Sequence, residues 1–423
     1  MRLLLIAYEF PPSPSPQSLR WTYLARELAG RGHDVHVLTI DLGGDTPGLP
    51  ELPDAVTVHR TFAGPFRGLF AARRKQLARR QANAAAAPTA TAAPPSRQGW
   101  KHRLSERVQA LLADALFPDA RGEWLPWGRA RLLRLLDALD PDIVVSSHEP
   151  ATTLQLGLLA KARGYPWIAD LGDPVLAGYT PARWRRRAGR LEARVCRDAD
   201  TLLVTTDGAR ALMASRHGRV DGVHIVSQGY DASAEVADIA APATMDRARI
   251  ELLYTGSLYR FRRIDELLRA LERMPEARLN IASISLPDEL LAWAARFPDR
   301  IRVLGFLPHR QVLRLQRDAD VLVNIANEDP RQIPGKVYEY LGARRPILHL
   351  GNPQDAISGL LQRTGRGMAC ANDADAIVRC LRAAWPGLRQ PLPEDATDEA
   401  ANHSWQALAA RVDALARDLA KPR

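Results

Sequence analysis

Hydrophobic and polar residues follow two rhythms along this chain. Short unbroken apolar runs alternate with longer stretches in which apolar positions recur every three or four residues. RLLLIAY, near the start, reads as a strand buried on both faces. QSLRWTYLARELAGRG has helical spacing through Leu19, Tyr23, Leu24 and Leu28, with Gly30 and Gly32 as stop signals. DVHVLTI and VTVHR read as further strands. DIVVSS, TTLQLGLLAKARG and YPWIADLG repeat strand, helix and strand, and TLLVTT and VHIVSQG close a first series. Residues 232–249 pattern weakly and contain Pro242, so they mark a domain boundary. The alternation then restarts with IELLYTG, IDELLRALERM, RLNIASI, PDELLAWAARF and IRVLGF. RQVLRLQRDA, DVLVNIA, KVYEYLGA and PILHL continue it. SWQALAARVDALARDLA ends the chain as an amphipathic helix with Trp405, Leu408, Val412, Leu415 and Leu419 on one stripe.

Such alternation predicts parallel sheets with helices on both faces, an α/β chain of two doubly wound, Rossmann-like domains facing across a cleft. Residues 1–235 form the first, with a basic insertion at about 64–130. Residues 236–403 form the second, and the helix of 404–423 packs back on the first. Within the insertion, QANAAAAPTATAAPPSRQG (81–99) has no acidic group and reads as a linker.

At 423 residues the chain can bury two cores. Three cysteines are too few and too scattered for a disulfide framework or a zinc site, which favours a reducing, cytoplasmic setting. Pro11 and Pro12 cut the first apolar run short of a signal-peptide core. No run approaches the ~20 apolar residues that cross a bilayer. The net charge of +10 is concentrated: residues 66–131 hold 13 Lys+Arg against 4 Asp+Glu, and residues 183–197 hold 7 Arg against 1 Glu. Patches of this kind attract anionic lipid headgroups, nucleic acid or a phosphorylated substrate; the bland reading is a solvated arginine-rich face.

Two segments of the second half carry candidate chemistry. In YTGSLYRFRRIDELLRAL a strand runs into Gly256, which lets backbone approach a ligand, and the loop beyond brings Arg260, Arg262 and Arg263 beside a helix start. Helix N-termini and guanidinium groups both suit a pyrophosphate. In NEDPRQIPGKVYEYLGARRPILHL, Pro334 and Gly335 open a helix whose first turns bear Lys336 and Glu339. A cation at a helix start opposes the helix dipole unless an anion is bound there, so Lys336 points to a phosphate. Glu339 suits ribose hydroxyls. In the first half, DIVVSSHEP and WIADLGDP place His148, Glu149, Asp170 and Asp173 just beyond strand ends, where a group could orient an acceptor hydroxyl or take its proton. Loop capping is the plainer role for each. Neither a G-x-G-x-x-G nor a P-loop is present.

Taken together, these segments resemble the retaining family-four glycosyltransferases of GT-B fold. The resemblance rests on Gly256, Gly305-Phe306-Leu307-Pro308, Ala319-Asp320-Val321, Lys336, Glu339 and Pro346-Ile347, with EFPP, RGHDVHVLT and VSQGYD in the first half. It spans about residues 1–380. By that resemblance Arg262 takes the place of the lysine that binds donor diphosphate, and Ser257 stands where many members have arginine. Glu339 matches the second of the family's paired glutamates, whereas the first falls on Arg331; Glu328 and Asp329 lie nearby, and the lysine-x-x-glutamate helix resembles that of a bacterial branch. PPSPSPQSLRW replaces the family's glycine-rich loop, and Arg20 is expected to face the donor phosphates.

The expectation is therefore a glycosyltransferase using a nucleotide-diphosphate sugar as co-substrate and no cofactor or metal. Arg262 and Lys336 hold the diphosphate, Glu339 the ribose, and the Gly305–Leu307 backbone with Phe306 the base. His148, Asp170 and Asp173 are the catalytic candidates. The acceptor is a glycan or lipid-linked glycan in surface polysaccharide or glycoconjugate synthesis, handled on the inner face of the cell membrane with no nucleic acid involved. The rivals are an epimerase or hydrolase of the same architecture, and a non-catalytic scaffold that binds membrane or nucleic acid.

Overall fold

A computed structural model describes residues 1–13, 15–43, 52–68, 71, 116–118, 120–258, 262–283, 286–327, 329, 332–388 and 398–420. The linker read at 81–99, Arg260, Glu328 and Arg331 lie outside the described residues. Two compact units divide the chain between Val226 and Ser227, and the first also takes in the residues from Ala410 onward.

The first unit contains β1 (Arg2–Ala7), α1 (Pro16–Gly30), β2 (Asp34–Asp41), β3 (Val56–Phe62), α2 (Leu125–Leu139) and β4 (Ile143–His148). α3 (Thr152–Ala162), β5 (Trp167–Leu171), α4 (Ala182–Asp198), β6 (Thr201–Val204), α5 (Asp207–His217) and β7 (Val223–Ile225) follow. Among the described residues the strands form one parallel sheet in the order β3-β2-β1-β4-β5-β6-β7. In register, Leu5 lies beside Val37 on one side and Val145 on the other. β1, β4 and β5 are almost wholly buried, as expected of strands covered on both faces. Ser15 caps α1 by accepting the N–H of Ser18, and Pro16 takes the first helical position, where its missing N–H costs nothing.

The second unit contains β8 (Ile250–Thr255), α6 (Asp265–Glu272), β9 (Ala277–Ala282), α7 (Asp288–Arg296), β10 (Ile301–Val303), α8 (His309–Asp318) and β11 (Val321–Ile325). It continues with α9 (Gly335–Ala343), β12 (Ile347–Leu350), α10 (Ala356–Thr364), β13 (Gly367–Cys370), α11 (Ala374–Ala384), α12 (Asp398–Ala401) and the start of α13 (Trp405–Leu419). The sheet order is β10-β9-β8-β11-β12-β13, again parallel. Each sheet thus reverses its winding once, between β1 and β4 and between β8 and β11. Loops leaving the C-terminal ends of strands at such a switch point diverge and leave a crevice.

Three features differ from the sequence reading. The weakly patterned segment after Ser227 joins the second unit, because α8 presents a row of arginines to its carbonyls: Arg310 to Glu235, Arg314 to Ala237 and Arg317 to Ala234. The C-terminal part of the supposed insertion is core. Trp124 is fully buried and donates its indole N–H to Thr61, while the Glu123 carboxylate accepts the N–H groups of Phe66 and Arg67. Finally, the arginine-rich stretch at 183–197 is a regular helix, α4, buried along Ala188, Leu191, Glu192, Val195 and Cys196. Among the described residues, no helix is long and apolar enough to cross a membrane.

Candidate functional site

In the second unit, β8 delivers Tyr254 and Thr255 to the switch point and then turns at Gly256. Its φ of +89° belongs to the left-handed region that favours glycine, although a Cβ would meet nothing there. The demand is thus on backbone conformation, not on space. Arg262 bends back toward the strand end. Its Nη1 donates to the Tyr254 hydroxyl (3.0 Å) and the Ser257 carbonyl (2.8 Å), and Nη2 donates to Asn327 Oδ1 (2.9 Å), just past β11.

α9 enters from the other side. Pro334 precedes it with no side-chain cap, and Lys336 sits in its first turn. Lys336 Nζ lies 3.5 Å from the centroid of the Tyr254 ring and donates to the Thr255 carbonyl at 3.3 Å. Arg262 and Lys336 therefore meet on one tyrosine, the first at its hydroxyl and the second at its face. Burial pushes the Lys336 ammonium well below the usual lysine range, and the positive charge of Arg262 pushes it the same way. Among the described residues no carboxylate forms an ion pair with Lys336. Such a cation sits at a penalty that an arriving anion would relieve.

Glu339, one turn further along α9, has a different neighbour. Its Oε1 lies 2.7 Å from His309 Nε2, at the start of α8. Burial opposes ionisation of both partners, yet their mutual attraction prevails: the His309 pKa is raised and the Glu339 pKa lowered. The two side chains thus face different neighbours, Lys336 the end of β8 and Glu339 the start of α8. Phe306 is 53% exposed beyond β10, whereas Leu307 packs against the cluster formed by α8, α9 and α10. Ser257 enters the site through its carbonyl.

In the first unit the switch point lies between the ends of β1 and β4. Here Arg20 and Asp170 depart from expectation, since both side chains are 0% exposed and bind each other. Arg20 Nε and Nη2 donate to the two carboxylate oxygens at 3.0 and 2.9 Å, and Nη2 also reaches the Val226 carbonyl at 2.9 Å. Trp21 Nε1 and Gln17 Nε2 donate to the same carboxylate. A buried charge must be paired and hydrogen-bonded, and these two satisfy that demand inside the unit. Within this unit Arg20 and Asp170 are thus bound to each other, where the sequence reading turned them toward donor phosphates and acceptor. Asp173 enters through its main chain, where its carbonyl accepts from His148 Nδ1 at 2.9 Å. His148 is buried and held in one orientation.

Each unit also holds residues near its switch point that the sequence did not single out. Arg121 lies 3.7 Å from Glu9 and 3.6 Å from Glu149, so one guanidinium links the loops after β1 and β4. The Tyr179 hydroxyl donates to Glu149 Oε1 at 2.7 Å. In the second unit Tyr254, Asn327 and His309 were likewise missed. No motif marks them; a polar side chain placed one or two residues beyond an apolar run was the available signal for Glu9 and Asn327. Among the described residues there is no group of three or more His, Cys, Asp or Glu side chains placed to hold a metal ion.

Residues 17–229 match the model of the glycosyl transferase 4-like domain. Comparison with curated proteins yields no match. Among solved structures, sucrose-phosphate synthase from Thermosynechococcus elongatus is similar, at 16% identity, a TM-score of 0.68 and 99% coverage of both chains. Trehalose-6-phosphate from E. coli bound with UDP-2-fluoro glucose is similar at 13% identity and TM-score 0.61, with both chains covered completely. A variant of S. aureus TarM in complex with fondaparinux, alpha-GlcNAc-glycerol and UDP is similar at 9% identity and TM-score 0.62, covering 98% of this chain and 99% of that one. At these identities the likeness is one of fold, the GT-B fold.

Proposed function

The chain belongs to the glycosyl transferase 4-like family and is a glycosyltransferase, and from that premise we propose that it moves a sugar, with retention, from a nucleotide-diphosphate donor to a hydroxyl of a glycan or lipid-linked acceptor. The product serves surface polysaccharide or glycoconjugate synthesis, and the enzyme works on the inner face of the cell membrane. The observation that carries this reading is the meeting of Arg262 and Lys336 on Tyr254 at the switch point of the second unit. UDP and a UDP-sugar analogue in two structures of the same fold are consistent with such a donor.

As the bond from sugar to diphosphate breaks, negative charge accumulates on the leaving phosphates. Preorganised cations in a water-poor site stabilise charge that develops there more than they stabilise the ground state. Lys336 and Arg262 supply two such cations without a metal ion. Glu339, steadied by His309, accepts from ribose hydroxyls, and the Gly305–Leu307 backbone with Phe306 receives the base. His148, oriented by the Asp173 carbonyl, positions the reacting hydroxyl in the first unit.

A thermal-shift panel of nucleotide sugars tests the reading directly. One nucleotide should stabilise the protein, and Lys336→Ala and Arg262→Ala should each weaken it by about 10- to 100-fold, the worth of one charge-assisted hydrogen bond. Variants that bind the best nucleotide as tightly as the parent would remove the site assignment. Radiolabelled donor with and without acceptor glycan separates transfer from epimerisation or hydrolysis, which need no second substrate. Product formation unchanged by a chelator is expected.

A further inference from the structure

The helix α4 carries its charge in an unusual way. Its inner stripe is buried, while Arg183, Arg185, Arg186, Arg187, Arg190, Arg194 and Arg197 are all exposed. Toward the C-terminal end, Asp198 neutralises part of this charge by pairing with Arg194 and Arg197. The two basic stretches of the sequence come together at the N-terminal end of α4. Phe117, within the first stretch, packs edge-on against Trp184 of the second at 5.6 Å, and the Arg187 guanidinium stacks 4.4 Å above the Phe117 ring.

Two aromatic residues mark this end of the helix. Trp184 is half-buried, and Tyr179, in the loop that leads into α4, is 64% exposed. The same Tyr179 donates to Glu149 at the switch point of the unit. The loop is fixed to the helix by a buried carboxylate: Glu192 accepts the Leu176 N–H at 2.9 Å and is met from behind by Arg216 (3.1 Å) and His217 (2.8 Å). Basic face, aromatic rim and candidate acceptor site are thus one rigid piece of surface.

We propose that the outer face of α4, with Tyr179 and Trp184 at its end, is a docking surface for an anionic lipid bilayer that brings the Glu149 site to the level of the headgroups. The mixture of arginine with amphipathic aromatics favours a membrane interface over a nucleic acid: cations attract the anionic leaflet, and tyrosine and tryptophan settle where apolar and wet regions meet. A lipid-linked acceptor would then reach the site without leaving the membrane. That last consequence rests on the transferase reading above, but the docking itself does not.

Sedimentation of the full chain with phosphatidylcholine vesicles, with and without phosphatidylglycerol, tests the proposal. Binding is expected only to the anionic vesicles and should fall with added salt. The combined Arg185→Gln, Arg186→Gln and Arg190→Gln variant should lose affinity on the order of a hundredfold, from roughly fivefold per cation. These side chains are exposed, so its melting temperature and nucleotide binding should match the parent. Equal binding of variant and parent to anionic vesicles overturns the proposal. So does a parent that ignores both vesicles, or one that prefers a short RNA duplex to them. Failure of nucleotide binding in a parent that still binds vesicles would instead defeat the donor reading and leave the docking surface intact.

Discussion

Arg20 and Lys336 are both cations set near the C-terminal edge of a parallel sheet, and their surroundings could hardly differ more. Arg20 is enclosed by its own carboxylate, Asp170, with a carbonyl as a further acceptor. Lys336 is flanked by a carbonyl and two aromatic rings, and the charge that acts on it is the positive one of Arg262. The first arrangement is electrically complete and belongs to the fold. The second has no counter-charge among the described residues, and the proposed diphosphate would supply one. A basic residue at a strand end is therefore weak evidence of an anion site until its partner is known.

This contrast can be broken most forcefully from the first unit. Asp170→Asn should leave the Arg20 charge buried without its counterion and destabilise the protein by about 3–5 kcal/mol, seen as a lower midpoint in urea. Nucleotide affinity of the folded fraction should not change. A variant with parental stability would place Arg20 and Asp170 on the functional side of the comparison.

Tyr254→Phe sharpens the other half. The ring stays beneath Lys336, but Arg262 loses its hydroxyl anchor, a change worth about 1 kcal/mol in nucleotide affinity. Calorimetry should show the loss, and Tyr254→Leu, which also removes the ring face, should bind more weakly still. The smallest effect concerns His309 and Glu339. Because the histidine pKa is raised, its contribution is complete below the ordinary value of 6.5 and fades as pH rises through the folded pKa. Because the glutamate pKa is lowered, its share is complete above 4.5 and fades as pH falls through its own folded value. The pair should therefore stabilise most between those limits. His309→Gln should flatten that part of the stability profile by at most ~1 kcal/mol.

How much of this was legible beforehand differs between fold and site. The strands of both sheets stand out in the sequence as short apolar runs, since strands covered on both faces, such as β1 and β6, carry few polar positions to interrupt the pattern. Gly256, Arg262 and Lys336 stood out in the sequence because an anion site needs a turn, a cation and a helix start in sequence order. The pairing of Arg20 with Asp170 was hidden because they are 150 residues apart, and nothing local shows that two charges so distant pair in the interior. Tyr254 was hidden for the opposite reason. It continues an apolar strand, and only the packing of α9 against β8 shows that its ring and its hydroxyl serve two different cations. Helix α4 was seen as a charge cluster because its seven arginines mask the thin apolar stripe beneath.

The return of α13 has a consequence for the order in which this chain matures. His33, enclosed just beyond α1, is closed over by Asp413 at 2.8 Å, 380 residues later in the chain. During synthesis, domains form roughly in the order in which they emerge. The unit begun first is thus the one whose last contact is made late, after the entire sheet of its younger companion has left the ribosome.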